Sequence, residues 1–405
     1  MKDVRKLPAF PITFISTDLF EYIITILYSL YSVITVLSVT EINKIHGILS
    51  ILVHMNYLIL GCLLLMPLFM QRIEHRMLYG IFGLLMLCAL IILRNGKILD
   101  TMEITLFLIY GSRINSKLLF RTYAFITFAI VFMTVSFSFL GIYSNSSSYV
   151  YGRGWRSNLG FNYTTYAPNF LFHVALAYYY VKEKITVPST LMMMLFNIVL
   201  MHYTNTRAVF YELTLFLFVM WIYRAFPKLF KTRLFGIGSA LSMPLLAGLM
   251  FFLTVTYSPR YKISRMLDSI FTGRLHLGHQ AIEKYGYPLF GTRIEWVTNT
   301  TSYNGEYFYV DSSYINAMLT FGVVLTAFVI ISFSVLSYRA YLGGDPCLCI
   351  VIVFLAIHSF SDPQLMELRY VPFLLLLMKG WYAPTDKIAL KPGKLLRSEK
   401  IRIAW

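Results

Sequence analysis

The 405-residue chain is 58% hydrophobic and 17% aromatic, carries only 13% charged residues, and has a mean hydropathy of +0.65. Soluble domains carry about a quarter charged residues, so lipid must be the solvent for most of this chain, and a water-soluble fold is excluded. The net charge of +16 then reads as basic residues gathered on the cytoplasmic side, facing anionic headgroups, with no nucleic-acid partner expected.

In chain order, apolar runs long enough to cross a bilayer fall at 18–40, 48–70, 77–93, 98–111, 122–142, 166–181, 187–203, 208–226, 234–256, 313–337, 347–360 and 371–385. They predict an all-α polytopic membrane protein with about twelve transmembrane helices, in one transmembrane domain over 1–405. The first run begins near Phe20 and no small-residue cleavage site follows, so no secretory signal peptide is expected. Cys62, Cys88, Cys347 and Cys349 all lie in apolar runs and read as small core residues rather than a disulfide framework.

The run at 98–111 is short and holds Asp100 and Glu103, which leaves a re-entrant segment open. Counting it as a span places the larger share of Lys and Arg on the cytoplasmic side, with both termini there. The tail at 386–405 becomes a basic cytoplasmic segment contacting lipid. Two outer segments, 143–166 and 257–312, are too long to be mere connectors.

The chemistry gathers at that outer side. In YSNSSSYVYGRGWRSNLGFNYTTYAPN, Arg153 and Arg156 stand among glycines and aromatics. Either this is a solvated loop, or it binds a sugar or phosphate through aromatic faces and guanidinium forks. In MHYTNTRAVFYEL, Asn205 or Thr206 is a natural N-cap, which puts Arg207 in the first turn of a helix. A cation there opposes the helix dipole, a placement that makes sense if Arg207 reaches a bound anion; the plainer reading is a snorkelling arginine.

From Lys262 to Lys284, Ile263, Met266, Leu267, Ile270, Phe271, Leu275, Gly278, Ala281 and Ile282 fall on one helical face. Arg265, Asp268, Thr272, His276, His279 and Glu283 fall opposite. The pattern predicts an amphipathic helix on the membrane surface or over a cavity, breakable at Gly273 or Gly278. Arg274 alone points into the apolar stripe, where a charge is costly unless paired. His276 and His279 form a weak H-x-x-H pattern, so no metal site and no cofactor are expected; His279 is a candidate general base, against the plainer reading of a solvated face. Asp311 in YVDSSYINAML reads first as an N-cap shared with Ser312 or Ser313, and second as a proton acceptor at the mouth of an outer cavity. Asp362, Glu367 and Arg369 are expected to pair with one another between the last two helices.

Together these pieces resemble the Wzy-type polymerases of bacterial capsular, exopolysaccharide and O-antigen synthesis, relatives of the O-antigen ligases. The likeness is carried by Arg153 and Arg156 with Leu159, Gly160, Phe161, Pro168 and Asn169, then TNTRAVF around Arg207, IFTGRL…YGYPLFG, and VDSSYI at Asp311. Members often carry His just before Pro-Asn, whereas this chain has Ala167, so no role for a histidine there is carried over. The resemblance implies a GT-C-like glycosyltransferase in the bacterial cytoplasmic membrane. It would transfer a growing glycan from polyprenyl diphosphate to a lipid-linked repeat unit without a metal. The implied partners are the polyprenyl-diphosphate-linked oligosaccharide, membrane lipid, and a chain-length regulator and flippase of the same pathway. Arg153, Arg156, Arg207, Arg260, Arg265 and Arg274 form the pool for diphosphate and glycan binding, with Asp311 and His279 as candidate bases and Arg274 foremost.

Two other readings stand beside it. A lipid-linked glycan flippase or transporter would show internal repeats and midplane charges, and no repeat relates the two halves here. An O-antigen-ligase-type transferase shares the same chemistry and layout.

Overall fold

The computed structural model describes residues 17–66, 75–111, 116–150, 154–298 and 307–382. Their helices are α1 (Thr17–Leu37), α2 (Ile48–Leu65), α3 (His75–Asn95), α4 (Ile98–Gly111), α5 (Ser116–Phe139), α6 (Tyr166–Lys182), α7 (Val187–Thr204), α8 (Arg207–Ala225), α9 (Arg233–Val255), α10 (Lys262–Ile270), α11 (Arg274–Tyr285), α12 (Ser313–Leu342), α13 (Pro346–Ser361) and α14 (Leu377–Tyr382). Eight of them (α1, α2, α3, α5, α7, α8, α9 and α12) are long and apolar enough to cross a membrane. The chain is an all-α polytopic membrane protein.

The other expected crossings are shorter: α4 has 14 residues, α6 has 17 and α13 has 16, while the last run is a 3-10 segment (Pro372–Leu376) followed by the six residues of α14. Their burial explains them. In α4, Glu103 through Gly111 is buried without a break, as is Ala167 through Ala177 in α6. A helix apolar all round belongs inside a bundle, and these are the inner helices. The outer helices show the converse. Leu49, Ile51 and Leu58 of α2, and Tyr79, Phe82 and Leu93 of α3, are exposed, an apolar wall that only lipid can solvate.

Glu103, which made the fourth run doubtful, is accounted for. Tyr31 of α1 donates to one of its oxygens at 2.8 Å and the Asn56 amide of α2 to the other at 2.5 Å.

One helix is broken where an irregular segment crosses it. In α12, Gly322 has φ 92° and ψ 159°, so the helix stops and restarts. Residues 288–292 cross it there: Val323 N donates to the Pro288 carbonyl (2.9 Å), Val324 N to Leu289 (3.2 Å), and Thr292 N to Leu319 (3.0 Å). A Cβ on Gly322 would stand 2.3 Å from the Leu289 oxygen, and one on Gly291 would stand 2.2 Å from the Thr320 oxygen. Two glycines let the two backbones touch.

The segment between α13 and the Pro372–Leu376 turn is irregular yet buried in the bundle. Tyr28 of α1 donates to the Leu368 carbonyl (2.7 Å) and Tyr123 of α5 to the Tyr370 carbonyl (2.9 Å). Irregular backbone survives at such depth only when its polar groups find partners like these.

The outer segment 143–166 contains a hairpin absent from the sequence expectations, with β1 (Ser147–Val150) antiparallel to β2 (Gly154–Ser157) and Tyr149 opposite Trp155. An isolated bridge between Thr40 and Phe161 ties this segment to the end of α1.

The expected single amphipathic helix over 262–284 is two helices. Thr272 (φ 55°) and Gly273 (φ 83°) take the left-handed conformation between α10 and α11. Gly278 does not break the second helix; it lets α11 close on α9, where a Cβ would come within 2.9 Å of Thr254.

Candidate functional site at one end of the bundle

The hairpin, α11, and the ends of α7, α8, α12 and α13 converge at one end of the bundle, and the polar side chains converge with them. The opposite end is marked by the Lys117–Glu183 pair (3.1 Å) and by Arg224, which donates to the Ile185 carbonyl at 2.7 Å.

Arg274 is the first residue of α11. Because the helix breaks before it, its side chain leaves the apolar stripe and turns toward the end of α13. Its Nε donates to the Ser361 carbonyl (2.7 Å) and its Nη1 to the Phe271 carbonyl (3.1 Å). Asp311 Oδ2 lies 3.8 Å from Nε. The N-cap reading of Asp311 is therefore corrected: the cap position of α12 is Ser312, without a side-chain cap bond, and Ser313 Oγ donates instead to the Asp362 carbonyl at 2.5 Å. Asp311 stands one residue before the cap position and pairs with Arg274. The buried Ser312 hydroxyl beside it makes no hydrogen bond among the described residues.

Beneath this pair lies a network that the sequence reading missed. Glu212, on the second turn of α8, accepts from Ser361 Oγ at 3.0 Å on one oxygen and meets His358 Nδ1 at 2.6 Å on the other. The second ring nitrogen of His358 meets Gln364 Oε1 at 3.0 Å, and Phe172 stacks on the ring with centroids 4.6 Å apart. Asp362 closes the group, with Oδ2 at 3.3 Å from Ser361 Oγ. Glu212, His358 and Asp362 are also the one group of three or more His, Cys, Asp or Glu side chains among the described residues whose ligand atoms all lie within 4.8 Å. The Glu212–His358 contact is a hydrogen-bond length, shorter than the ~3.3 Å edge expected between ligands about 2 Å from a shared zinc. The signal that would have found these residues is a carboxylate and an imidazole inside apolar helices, which are expensive there and mark function by default.

The expected pairing among Asp362, Glu367 and Arg369 holds for two of the three. Arg369 Nε donates to Glu367 Oε2 at 2.7 Å, with Nη2 on the same oxygen, and the guanidinium packs over Tyr370 (5.3 Å) and Tyr166 (5.9 Å). Burial opposes its charge, but Glu367 and the two phenols more than offset this and raise its pKa well above the ordinary value. Tyr309 lies near both acids: burial pushes its phenol well up, and Glu367 and Asp311 add to the shift. Asp362 belongs to the Ser361 side instead.

The remaining residues fall in three places. Arg156 is buried, its Nε donating to the Thr204 carbonyl (2.8 Å) and its Nη2 to Thr206 Oγ1 (3.4 Å), so it clamps the turn from α7 to α8. That turn presents Arg207, exposed in the first turn of α8 as expected, with Nε on Asn205 Oδ1 at 3.2 Å. Arg207 stands five residues, about 7.5 Å of helix, beyond Glu212 toward the helix end. Arg153 lies outside the described residues. Arg260 and Arg265 are exposed around α10, and Arg265 Nη1 donates to the Pro259 carbonyl at 2.8 Å. His279 is tied elsewhere, its Nδ1 meeting the Thr254 carbonyl at 3.0 Å and its Nε2 facing Glu283 at 3.3 Å, so it pins α11 to α9. The site proper therefore joins Arg274 and Asp311 over the Ser361–Glu212–His358 network, with Arg369–Glu367 and Arg207 around it.

Such a site offers fixed positive charge, a carboxylate and exposed aromatics, the means to hold an anion and take up a proton. Compared with known proteins, the chain matches no family model, and no curated protein matches it.

Proposed function

We propose that this chain is a Wzy-type membrane glycosyltransferase of the GT-C class, with about twelve spans and both termini cytoplasmic. In this reading it polymerises polyprenyl-diphosphate-linked oligosaccharide repeat units on the outer face of the bacterial cytoplasmic membrane. The observation that carries the reading is the Arg274–Asp311 pair, 3.8 Å apart at the mouth of a helical bundle. In the transfer, a hydroxyl oxygen of the acceptor sugar bonds to the anomeric carbon of the donor glycan. The bond from that carbon to the diphosphate breaks, and its electron pair leaves with the diphosphate. Asp311 takes the hydroxyl proton. Negative charge grows on the leaving diphosphate, and Arg274 and Arg207 are the preorganised positive charges that stabilise it. Arg274 suits this role because two of its donors are anchored on backbone carbonyls, while Nη2 makes no hydrogen bond among the described residues.

The orientation is supported by the charges of the opposite end, where Lys182, Lys184, Arg224, Lys228, Lys231 and Arg233 gather as cytoplasmic residues do. Exposed Tyr149 and Trp155, their rings 5.7 Å apart on the hairpin, suit stacking on sugar rings.

The test is deletion of the gene followed by gel analysis of the surface glycan. Single-repeat products without a long ladder are expected. An unchanged ladder sinks the proposal, repeats trapped on the cytoplasmic side point to a flippase, and full-length polymer left on the lipid carrier points to a ligase.

A further inference from the structure

α10 is built inside out for a helix in water. Its apolar side chains Ile263, Met266 and Ile270 share one face, yet they are 70%, 56% and 64% exposed, and no residue of the helix is buried. Its polar residues Lys262, Ser264, Arg265, Asp268 and Ser269 occupy the other side. A surface helix that packs on its own protein turns its apolar stripe inward. α11 does so, burying Leu275, Gly278, Ala281 and Ile282. α10 does the reverse, immediately after α9 leaves the bundle with Phe251, Phe252 and Val255 exposed on its last turns. Both the end of α9 and the α10 that follows it thus carry exposed apolar side chains. The exposed cations Arg260, just before the helix, and Lys262, in its first turn, stand at the edge of that face, the arrangement that holds an interfacial helix against anionic headgroups.

We infer that α10 docks on the lipid surface at the site end of the bundle, with Ile263, Met266 and Ile270 in the headgroup–acyl boundary and Arg260 and Lys262 on lipid phosphates. The docking reaches the site because α10 and α11 form one rigid hook. Asp268 Oδ1 accepts from the backbone N–H groups of Leu275 and His276, each at 3.0 Å, and Gly273 N donates to the Asp268 carbonyl at 2.9 Å. Arg274 begins the second arm. The depth of α10 in the headgroup layer therefore sets the height of Arg274 above the membrane. This inference rests on the helix and its charges, and stands whichever anionic substrate Arg274 meets.

The experiment uses the full chain with Cys62→Ser, since Cys62 is exposed and Cys88, Cys347 and Cys349 are buried. An environment-sensitive fluorophore is placed at Met266→Cys, Ile270→Cys or, as the control on the polar side, Ser269→Cys. Each protein is studied in detergent and in nanodiscs of phosphatidylcholine with phosphatidylglycerol. In nanodiscs the probes at 266 and 270 are expected to shift to the blue, to be quenched by lipids spin-labelled near the headgroup, and to show iodide quenching about threefold weaker than at 269, as for an apolar face sunk about 5–10 Å into the headgroup–acyl boundary. Equal iodide quenching at all three positions overturns the inference. So does shielding at 266 and 270 without quenching by the spin-labelled lipids, because protein then covers the face. Removing the charges of Arg260 and Lys262 together is expected to weaken the spin-label quenching at 266. Unchanged quenching overturns the assignment of those cations to lipid phosphates.

Discussion

His358 Nδ1 stands 2.6 Å from Glu212 Oε2, a bond between two helices 146 residues apart in sequence. The two side chains are 2% and 12% exposed, so neither finds water if the other is removed. His358→Ala is expected to destabilise the protein by about 3–5 kcal/mol, the usual consequence of stranding one member of a buried polar pair. The double variant His358→Ala with Glu212→Leu should recover much of that loss. Thermal unfolding in detergent, followed by light scattering, reads both. A single variant as stable as the parent would show that the bond contributes nothing.

Arg274 and Asp311 separate by role. Arg274→Ala should lower the rate of glycan polymerisation by about 10²–10³-fold, as loss of one transition-state donor does. Arg274→Lys keeps the charge but cannot reproduce the planar fork that reaches both Ser361 and Phe271, and should fall between. Asp311→Asn keeps shape and removes the proton acceptor, so turnover should drop by about 10²–10⁴-fold with binding of the lipid-linked donor nearly unchanged. Turnover and binding measured on the same purified protein separate the two outcomes. Normal chain length in cells carrying Arg274→Ala at normal protein levels would remove Arg274 from the site.

At the break in α12, Gly322→Ala places a Cβ 2.3 Å from the Leu289 oxygen at a φ of 92°. The change should cost at least about 1–3 kcal/mol, the range for a strained backbone position. Gly238→Ala on α9, with nothing within 4 Å of its Cβ, should leave stability unchanged or raise it by up to about 1 kcal/mol. Gly322→Ala should therefore melt below the parent protein, and Gly238→Ala at or above it.

Asp268→Ala removes the carboxylate that accepts from Leu275 and His276. The expected cost is about 1 kcal/mol, as for other helix caps, with the effect confined to the start of α11. Hydrogen exchange should quicken at residues 274–277 and stay unchanged in α9. Uniform quickening across both would mean that Asp268 supports the whole fold rather than the hook.

The membrane class, most helix boundaries and the place of Arg207 were legible in the sequence because hydropathy and capping are local signals. Arg274 was legible too, as a charge out of place, although the helix invoked to find it is broken at Thr272–Gly273. What escaped were features made by partners distant in sequence. Nothing near Glu212 announces His358, and nothing near Gly322 announces the crossing at 288–292. The burial of α4, α6 and α13 escaped for a related reason: an apolar run reads alike whether it faces lipid or other helices. Asp311 read first as a cap because Ser312 and Ser313 follow it; only the fold shows that Ser313 turns to the Asp362 carbonyl.

The buried segment between α13 and the final turn has a consequence for how the molecule comes into being. Its carbonyls at Leu368 and Tyr370 are received by tyrosines of α1 and α5, which leave the ribosome more than two hundred residues earlier. His358, Asp362 and Arg369 arrive with the same late stretch. The bundle must therefore keep a berth open, lined by the Tyr28 and Tyr123 hydroxyls, until translation is nearly complete. A chain stopped at Leu342 would carry Arg274 and Asp311 without the Ser361 carbonyl that orients the arginine.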